Sequence, residues 1–194
     1  MATPMLIDTD MGCDDALAVA LALMAPGCDV GAIVSVGGNV SIDQATLNIG
    51  RLLGAIAPPA WPMVGRGLDQ SDPTLVDARD VFSRDGFGGA AIPEYQGLEI
   101  RDYRAVYREM IERHSGALHV VAIGPLTNLA ALLAEAPGLL KNIARLTVMG
   151  GAVFAKGNVT PWAEFNFYRD PAAAAVVMGS GLPITLAPDR KSVV

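Results

Sequence analysis

Short apolar runs closed by glycine or aspartate alternate with longer segments of helical period, and that rhythm restricts the fold more than any other feature of the chain. Residues 4–8, 29–36, 62–64, 119–123, 144–149 and 183–187 are the strand-like runs. Several are apolar almost throughout, as in Val-Gly-Ala-Ile-Val-Ser-Val over 30–36. Strands of that kind are buried on both faces, which belongs to parallel rather than half-solvated sheets. Between them the spacing predicts helices. One spans 13–24 and is stopped by Pro26-Gly27. Another spans 43–56, with Ala45, Leu47, Ile49, Leu52, Leu53 and Ile56 near helical period, and ends at Pro58-Pro59. Further helices are expected over 102–114, 126–135 and 170–178, the last opened by Asp170-Pro171. The prediction is an α/β domain over 1–194, its mostly parallel sheet covered by helices on both faces. Residues 65–100, rich in Gly, Asp and Pro, read as an extended loop region, and the segment after 149 as a long polar loop.

Composition removes several function classes. Hydrophobic residues make up 52% of the 194, yet no apolar run approaches the length of a membrane span. The longest, Ala16–Ala25, follows an acidic turn and reads as a buried helix. A net charge of −6 without a basic stripe argues against a nucleic-acid partner. Arg101, Arg104, Arg108 and Arg113 are interleaved with Asp102, Glu109 and Glu112, the pattern of a solvated face. Cys13 and Cys28 are too few for a disulfide framework, and no basic segment precedes an apolar one at the N-terminus, so the expectation is a reducing cytoplasm.

Chemistry concentrates at the first strand–helix junction. Asp8, Asp10, Asp14 and Asp15 crowd the string Leu6-Ile7-Asp8-Thr9-Asp10-Met11-Gly12-Cys13-Asp14-Asp15. Neighbouring carboxylates repel unless a cation or shared protons relieve them, and a hard divalent ion with oxygen ligands is the natural relief. Asp8 or Asp10 capping the helix, with the others in its acidic first turn, would account for one or two of the four. In open α/β sheets ligands bind beyond the carboxyl ends of the strands. Residues 8–15, 37–39, 124–128 and 150–166 should therefore converge on one rim.

The string Asp8 to Ala16 resembles the D-x-D-x-G-x-D-D-A signature of the inosine/uridine-preferring nucleoside hydrolases. Gly37-Gly38-Asn39, Gly124-Pro125-Leu126-Thr127-Asn128-Leu129-Ala130, and Met149-Gly150-Gly151 with Ala163-Glu164-Phe165-Asn166 agree in order and spacing. The resemblance runs from about Met5 to Ala187. It implies a Rossmann-like fold, a bound Ca²⁺, hydrolysis of ribonucleosides to ribose and free base, and a homodimer or homotetramer. It implies Asp10 as metal ligand and general base, with Asp15 and the Ile123 carbonyl as further ligands. Asp14, Asn39, Asn158, Glu164 and Asn166 would contact the sugar, and Met149 would lie beneath it.

On the residues alone, Asn39 and Asn158 are equally turn residues and Met149 a core residue. Glu164 and Asn166 alternate in Glu-Phe-Asn-Phe, so in an extended segment both would point to one side. Thr127-Asn128 reads as a helix start using its side chains on free backbone donors. The family also carries a C-terminal His-Asp pair that completes the calcium site and serves the leaving base. No His follows His119 here, and Asp189 does not stand in for that pair. The chain thus corresponds to the N-terminal two-thirds of the family fold. Phe82 stands where the family often has His. Two other readings carry different chemistry: an inactive truncated homologue acting as a binding or assembly subunit, and a haloacid dehalogenase-like phosphatase with Asp8 as nucleophile.

Overall fold

A computed structural model describes residues 2–70 and 85–188; Phe82 and Asp189 lie outside the described residues. Within them, seven strands form one sheet: β1 (Thr3–Thr9), β2 (Cys28–Ser35), β3 (Met63–Arg66), β4 (Ile100–Asp102), β5 (His119–Ala122), β6 (Arg145–Met149) and β7 (Ile184–Ala187). Their spatial order is β4-β3-β2-β1-β5-β6-β7, and every pairing is parallel. The helices are α1 (Cys13–Met24), α2 (Ile42–Ile56), α3 (Tyr103–Arg113), α4 (Thr127–Glu135), α5 (Phe165–Arg169) and α6 (Pro171–Met178), with a 3₁₀ turn at Leu140–Asn142.

Strand alternation divides the core into two layers. Leu6, Ala32, Val34, Val120, Ala122, Leu146 and Val148 point to one face, where Tyr107 and Met110 of α3, Leu129 and Leu132 of α4, and Ala173 and Val177 of α6 cover them. Ile7, Ile33 and Val64 point to the other, under Val19 of α1 and Ala45, Ile49 and Leu53 of α2. α2 is set by the sequence at both ends. The Ser41 side chain accepts from Gln44 N at 3.4 Å, and Ala57, in the left-handed region at φ 47°, ends the helix before Pro58. Its inner face buries several large aliphatic side chains, each contributing about 1.5–3 kcal/mol.

Three expectations change. Strand β4, Ile-Arg-Asp, is too short and polar to show a period; it exists because Val64, Gly65 and Arg66 offer it a parallel partner. Part of the polar stretch after β6 is helical, over Phe165–Arg169. And α1 is not a buried helix: Asp15 and Val19 are its buried residues, while Leu17, Leu21 and Met24 are 68%, 70% and 74% exposed. The sheet lies beneath α1 and α2 flanks it, so one apolar stripe at i, i+4, i+7 spacing is left without cover. Further along that face the sheet itself opens, since Thr185 and Ala187 of β7, in register with Thr147 and Met149, are exposed. The arginine-rich segment is the solvated face it was read as. Arg104 pairs with Glu135 at 2.7 Å, Arg101 with Glu109 at 2.8 Å, and Arg113 with Glu109. No helix among the described residues is long and apolar enough to cross a membrane.

Candidate functional site

The strand order reverses between β1 and β5, because β1 connects outward to β2 while β5 begins the opposite half. Such a switch point leaves a crevice beyond the strand ends, where ligands bind. The segments after β1, β2, β5 and β6 meet there. Asp10 and Asp15 follow β1; Asn39 follows β2; Ile123 and Gly124 follow β5; Met149 closes β6. The approach is close enough that a methyl group on Gly124 would come within 2.9 Å of Asp10 N.

The turn out of β1 is held in an uncommon conformation. Met11 has φ 52°, a left-handed backbone that costs a non-glycine residue roughly 1–3 kcal/mol. Its surroundings impose the conformation. The Met11 side chain is fully buried, its N–H donates to Thr9 Oγ1 at 3.0 Å, and its carbonyl accepts from Asn48 Nδ2 at 3.2 Å. That turn delivers Asp10 and Asp15 to the same place. Asn39 joins them: its backbone N–H donates to Asp10 Oδ2 at 2.7 Å, and its Nδ2 donates to Asp10 Oδ1 and to Asp15 Oδ2, each at 3.2 Å. Asp15 Oδ2 also accepts from Gly12 N at 2.8 Å. Gly12 rather than Asp8 or Asp10 therefore sits at the helix cap. Asn39 is no mere turn residue, since its amide bridges the two carboxylates.

Asp10 is completely buried and Asp15 nearly so. Burial, then the charge of Asp15, holds the Asp10 carboxyl well above the ordinary range. Burial, then the charge of Asp14, raises Asp15 as well. Asp14 is exposed on the first turn of α1.

Asp8 has a different role. It is 1% exposed, and its Oδ2 accepts from Tyr107 Oη at 2.7 Å and from Asn128 Nδ2 at 3.0 Å. Burial pushes its carboxyl up to about 7 despite both hydrogen bonds. A carboxylate sealed in this way is not placed to attack a phosphate, which removes the phosphatase reading.

Asn166 and Glu164 come together through a helix cap rather than strand alternation. Glu164 caps α5, accepting from Asn166 N at 2.8 Å and Phe167 N at 3.2 Å, and also from Gly151 N at 2.9 Å. Asn166 Nδ2 donates to the Ile123 carbonyl at 3.0 Å and to the Met149 carbonyl at 3.2 Å, so the β5 and β6 ends are tied across α5. Met149 is half-buried, its Sδ 3.2 Å from the same amide. Asn158 Oδ1 accepts from Phe165 N at 2.8 Å. Thr127 and Asn128 do not cap α4. They are buried and bond sideways, Thr127 to Asp170 Oδ2 at 2.7 Å and Asn128 to Asp8.

Tyr107 and Asn48 were missed by the sequence reading. Asn48 carried a usable signal, a polar residue on the apolar face of α2 between Ala45 and Leu52; it is fully buried and donates to the Met11 and Asp85 carbonyls. Tyr107 looked like any aromatic on an apolar helix face.

The donors Asp10, Asp15 and the Ile123 carbonyl are hard oxygens of the kind Ca²⁺ takes. Two buried carboxyls raised by burial and like charge fit a site that gains from a cation. The described residues contain no cluster of three or more His, Cys, Asp or Glu side chains placed to hold a metal.

Residues 5–191 match the family described as inosine-uridine preferring nucleoside hydrolase. The pyrimidine-specific ribonucleoside hydrolase RihA of Salmonella schwarzengrund is 39% identical over 192 residues, covering 96% of this chain and 60% of that protein. Among solved structures, the purine-preferring ribonucleoside hydrolase from Gardnerella vaginalis superposes with a TM-score of 0.88 at 29% identity, over 95% of this chain and 60% of that one. An inosine-guanosine nucleoside hydrolase does so with a TM-score of 0.86 at 31% identity, over 97% and 60%. The chain spans about 60% of the length of these relatives. With the signature blocks, the all-parallel sheet and the match over residues 5–191 in agreement, the chain belongs to the inosine-uridine preferring nucleoside hydrolase family.

Proposed function

We propose that this chain carries the site of a ribonucleoside N-glycosidase, which hydrolyses ribonucleosides to ribose and free base with Ca²⁺ as cofactor. The observation that carries the reading is the buried Asp10–Asp15 pair at the switch point, bridged by Asn39 and next to the end of β5. Breaking a ribosyl–base bond builds positive charge on the sugar while water attacks the anomeric carbon. Asp10, fully buried at the switch point, takes the proton of that water. Ca²⁺ held by Asp10, Asp15 and the Ile123 carbonyl would keep both carboxyls ionised and supply a Lewis acid for the water and the sugar diol. Exposed Asp14 is assigned to the 2′-hydroxyl and Asn166 to the diol. Asn158 and Glu164 are assigned to the 5′-hydroxyl, Asn39 to the pocket wall, and Met149 to the floor under the ring.

The test is release of reducing sugar from inosine and uridine in calcium-containing buffer, by this chain and by its Asp10→Asn variant. Loss of the proton acceptor should lower the rate by about 10²–10⁴-fold. Equal rates for the two proteins would refute the assignment. The second reading, an assembly subunit without turnover, draws on the uncovered stripe of Leu17, Leu21 and Met24. It predicts no sugar release together with a homodimer or homotetramer in sedimentation.

A further inference from the structure

One buried side chain beneath the site touches neither candidate metal ligands nor the sugar-binding residues, yet it is bonded to both arms that converge on Asp10. Asn128, on the first turn of α4, is fully buried. Its Nδ2 donates to Asp8 Oδ2 and to the Ser35 carbonyl, each at 3.0 Å, and its Oδ1 accepts from Leu68 N at 2.8 Å. Three chain segments thus share one amide: the end of β1, the end of β2 and the segment after β3. The packing leaves no slack, since a methyl group on Gly67 would collide with both the Asn128 amide and the Ser35 carbonyl.

Each arm leads to Asp10. Along the first, Asn128 and Tyr107 clamp the Asp8 side chain, the Asp8 carbonyl accepts from Ile123 N at 2.8 Å, and Asp10 follows two residues later. That arm fixes the end of β1 against the end of β5. Along the second, Asn128 holds Leu68, whose carbonyl accepts from Gly37 N at 2.9 Å. Gly37 opens the turn that presents Asn39, and Asn39 donates to Asp10 Oδ2 at 2.7 Å. The donor and the acceptor of the Asn39–Asp10 contact are therefore registered against each other through Asn128.

We infer that Asn128 is a positioning residue, which sets the Asn39–Asp10 contact from beneath by bonding at once to Asp8, Ser35 and Leu68. It serves the site assigned above to nucleoside hydrolysis, but the contact it sets is read without turnover. An inactive chain and a failed inference therefore give different results.

The experiment is native-state amide hydrogen exchange followed by NMR on the whole chain and its Asn128→Ala variant. The Gly37 and Asn39 N–H groups are compared with those of Val34 and Val120 in the strands. The expected result is that Gly37 and Asn39 exchange at least tenfold faster relative to the strand amides than in the unsubstituted protein. Thr127→Val is the control: the neighbouring residue is also buried on the same helix turn but bonds Asp170 rather than Asp8, Ser35 or Leu68, so it should leave that ratio unchanged. If Asn128→Ala does not fold, Asn128→Ser is read by the same ratio. An unchanged ratio in the Asn128 variants, or an equal change in Thr127→Val, overturns the inference.

Discussion

Asp8 makes the stability of this protein depend on pH in a way that a single isosteric change should remove. Its carboxyl is sealed under α3 and α4, and burial raises it from 3.8 to about 7. The unfolded chain loses that proton near 3.8, whereas the folded protein keeps it until about pH 7. Between those limits the native state binds more protons, so stability falls as pH rises. The penalty is absent below 3.8 and complete above about 7. At about 1.4 kcal/mol per unit, the displacement corresponds to about 4 kcal/mol, a large part of the total stability of an ordinary domain. Asp8→Asn keeps the shape and cannot ionise. Urea unfolding of both proteins from pH 4 to pH 8, in EDTA, gives the difference in stability at each pH. Asp10 and Asp15 are present in both proteins, so their titration largely cancels. The variant should gain on the unsubstituted protein by about 4 kcal/mol across the window, even if it begins less stable at pH 4, where an amide replaces the protonated carboxyl as the partner of Tyr107 and Asn128. A difference that changes by less than about 1 kcal/mol would refute the reasoning.

The remaining predictions concern the cation, the core and the open stripe. Ca²⁺ should raise the thermal midpoint of the unsubstituted chain, by the equivalent of about 2.7 kcal/mol at a hundredfold excess over Kd; Asp15→Asn should abolish the rise in calorimetry. Tyr103 is buried with an Oη that has no partner among the described residues. Tyr103→Phe should therefore be neutral or stabilise by about 1 kcal/mol in urea unfolding. Leu17→Glu with Leu21→Glu should change unfolding free energy by no more than about 0.5 kcal/mol per site, because both side chains are exposed. The same double variant should reduce self-association in sedimentation velocity.

What the sequence disclosed of the fold follows the strength of each local signal. β1, β2, β5 and β6 are apolar because the sheet is covered on both faces there, and their period was readable. β4 was not, since three residues form a strand only when β3 lies alongside. α5 was hidden because its start depends on Glu164 reaching the N–H groups of Asn166 and Phe167, a three-dimensional cap inside a segment that reads as polar loop. α1 misled in the opposite sense: apolar residues all round a helix read as burial, but its outer stripe meets nothing among the described residues.

The four clustered aspartates show why crowding of charge was visible while its division into roles was not. Asp8 lies two residues after Leu6, so strand period sends both side chains to the face covered by α3 and α4. There Tyr107 and Asn128 wait, residues distant in sequence whose hydrogen-bonding purpose no local pattern announces. Asp10 comes after the strand has ended, where the left-handed Met11 breaks the period, so alternation gives no guide to its direction. Asp14 and Asp15 are adjacent on a helix, about 100° apart, which turns one to solvent and the other inward to Gly12 N and the Asn39 amide. A count of aspartates suggested a cation held by many carboxylates. Backbone geometry reduces that to two facing the switch point, with Asn39 donating between them, so in the proposed calcium site the placement of one neutral amide would matter as much as the number of charges around it.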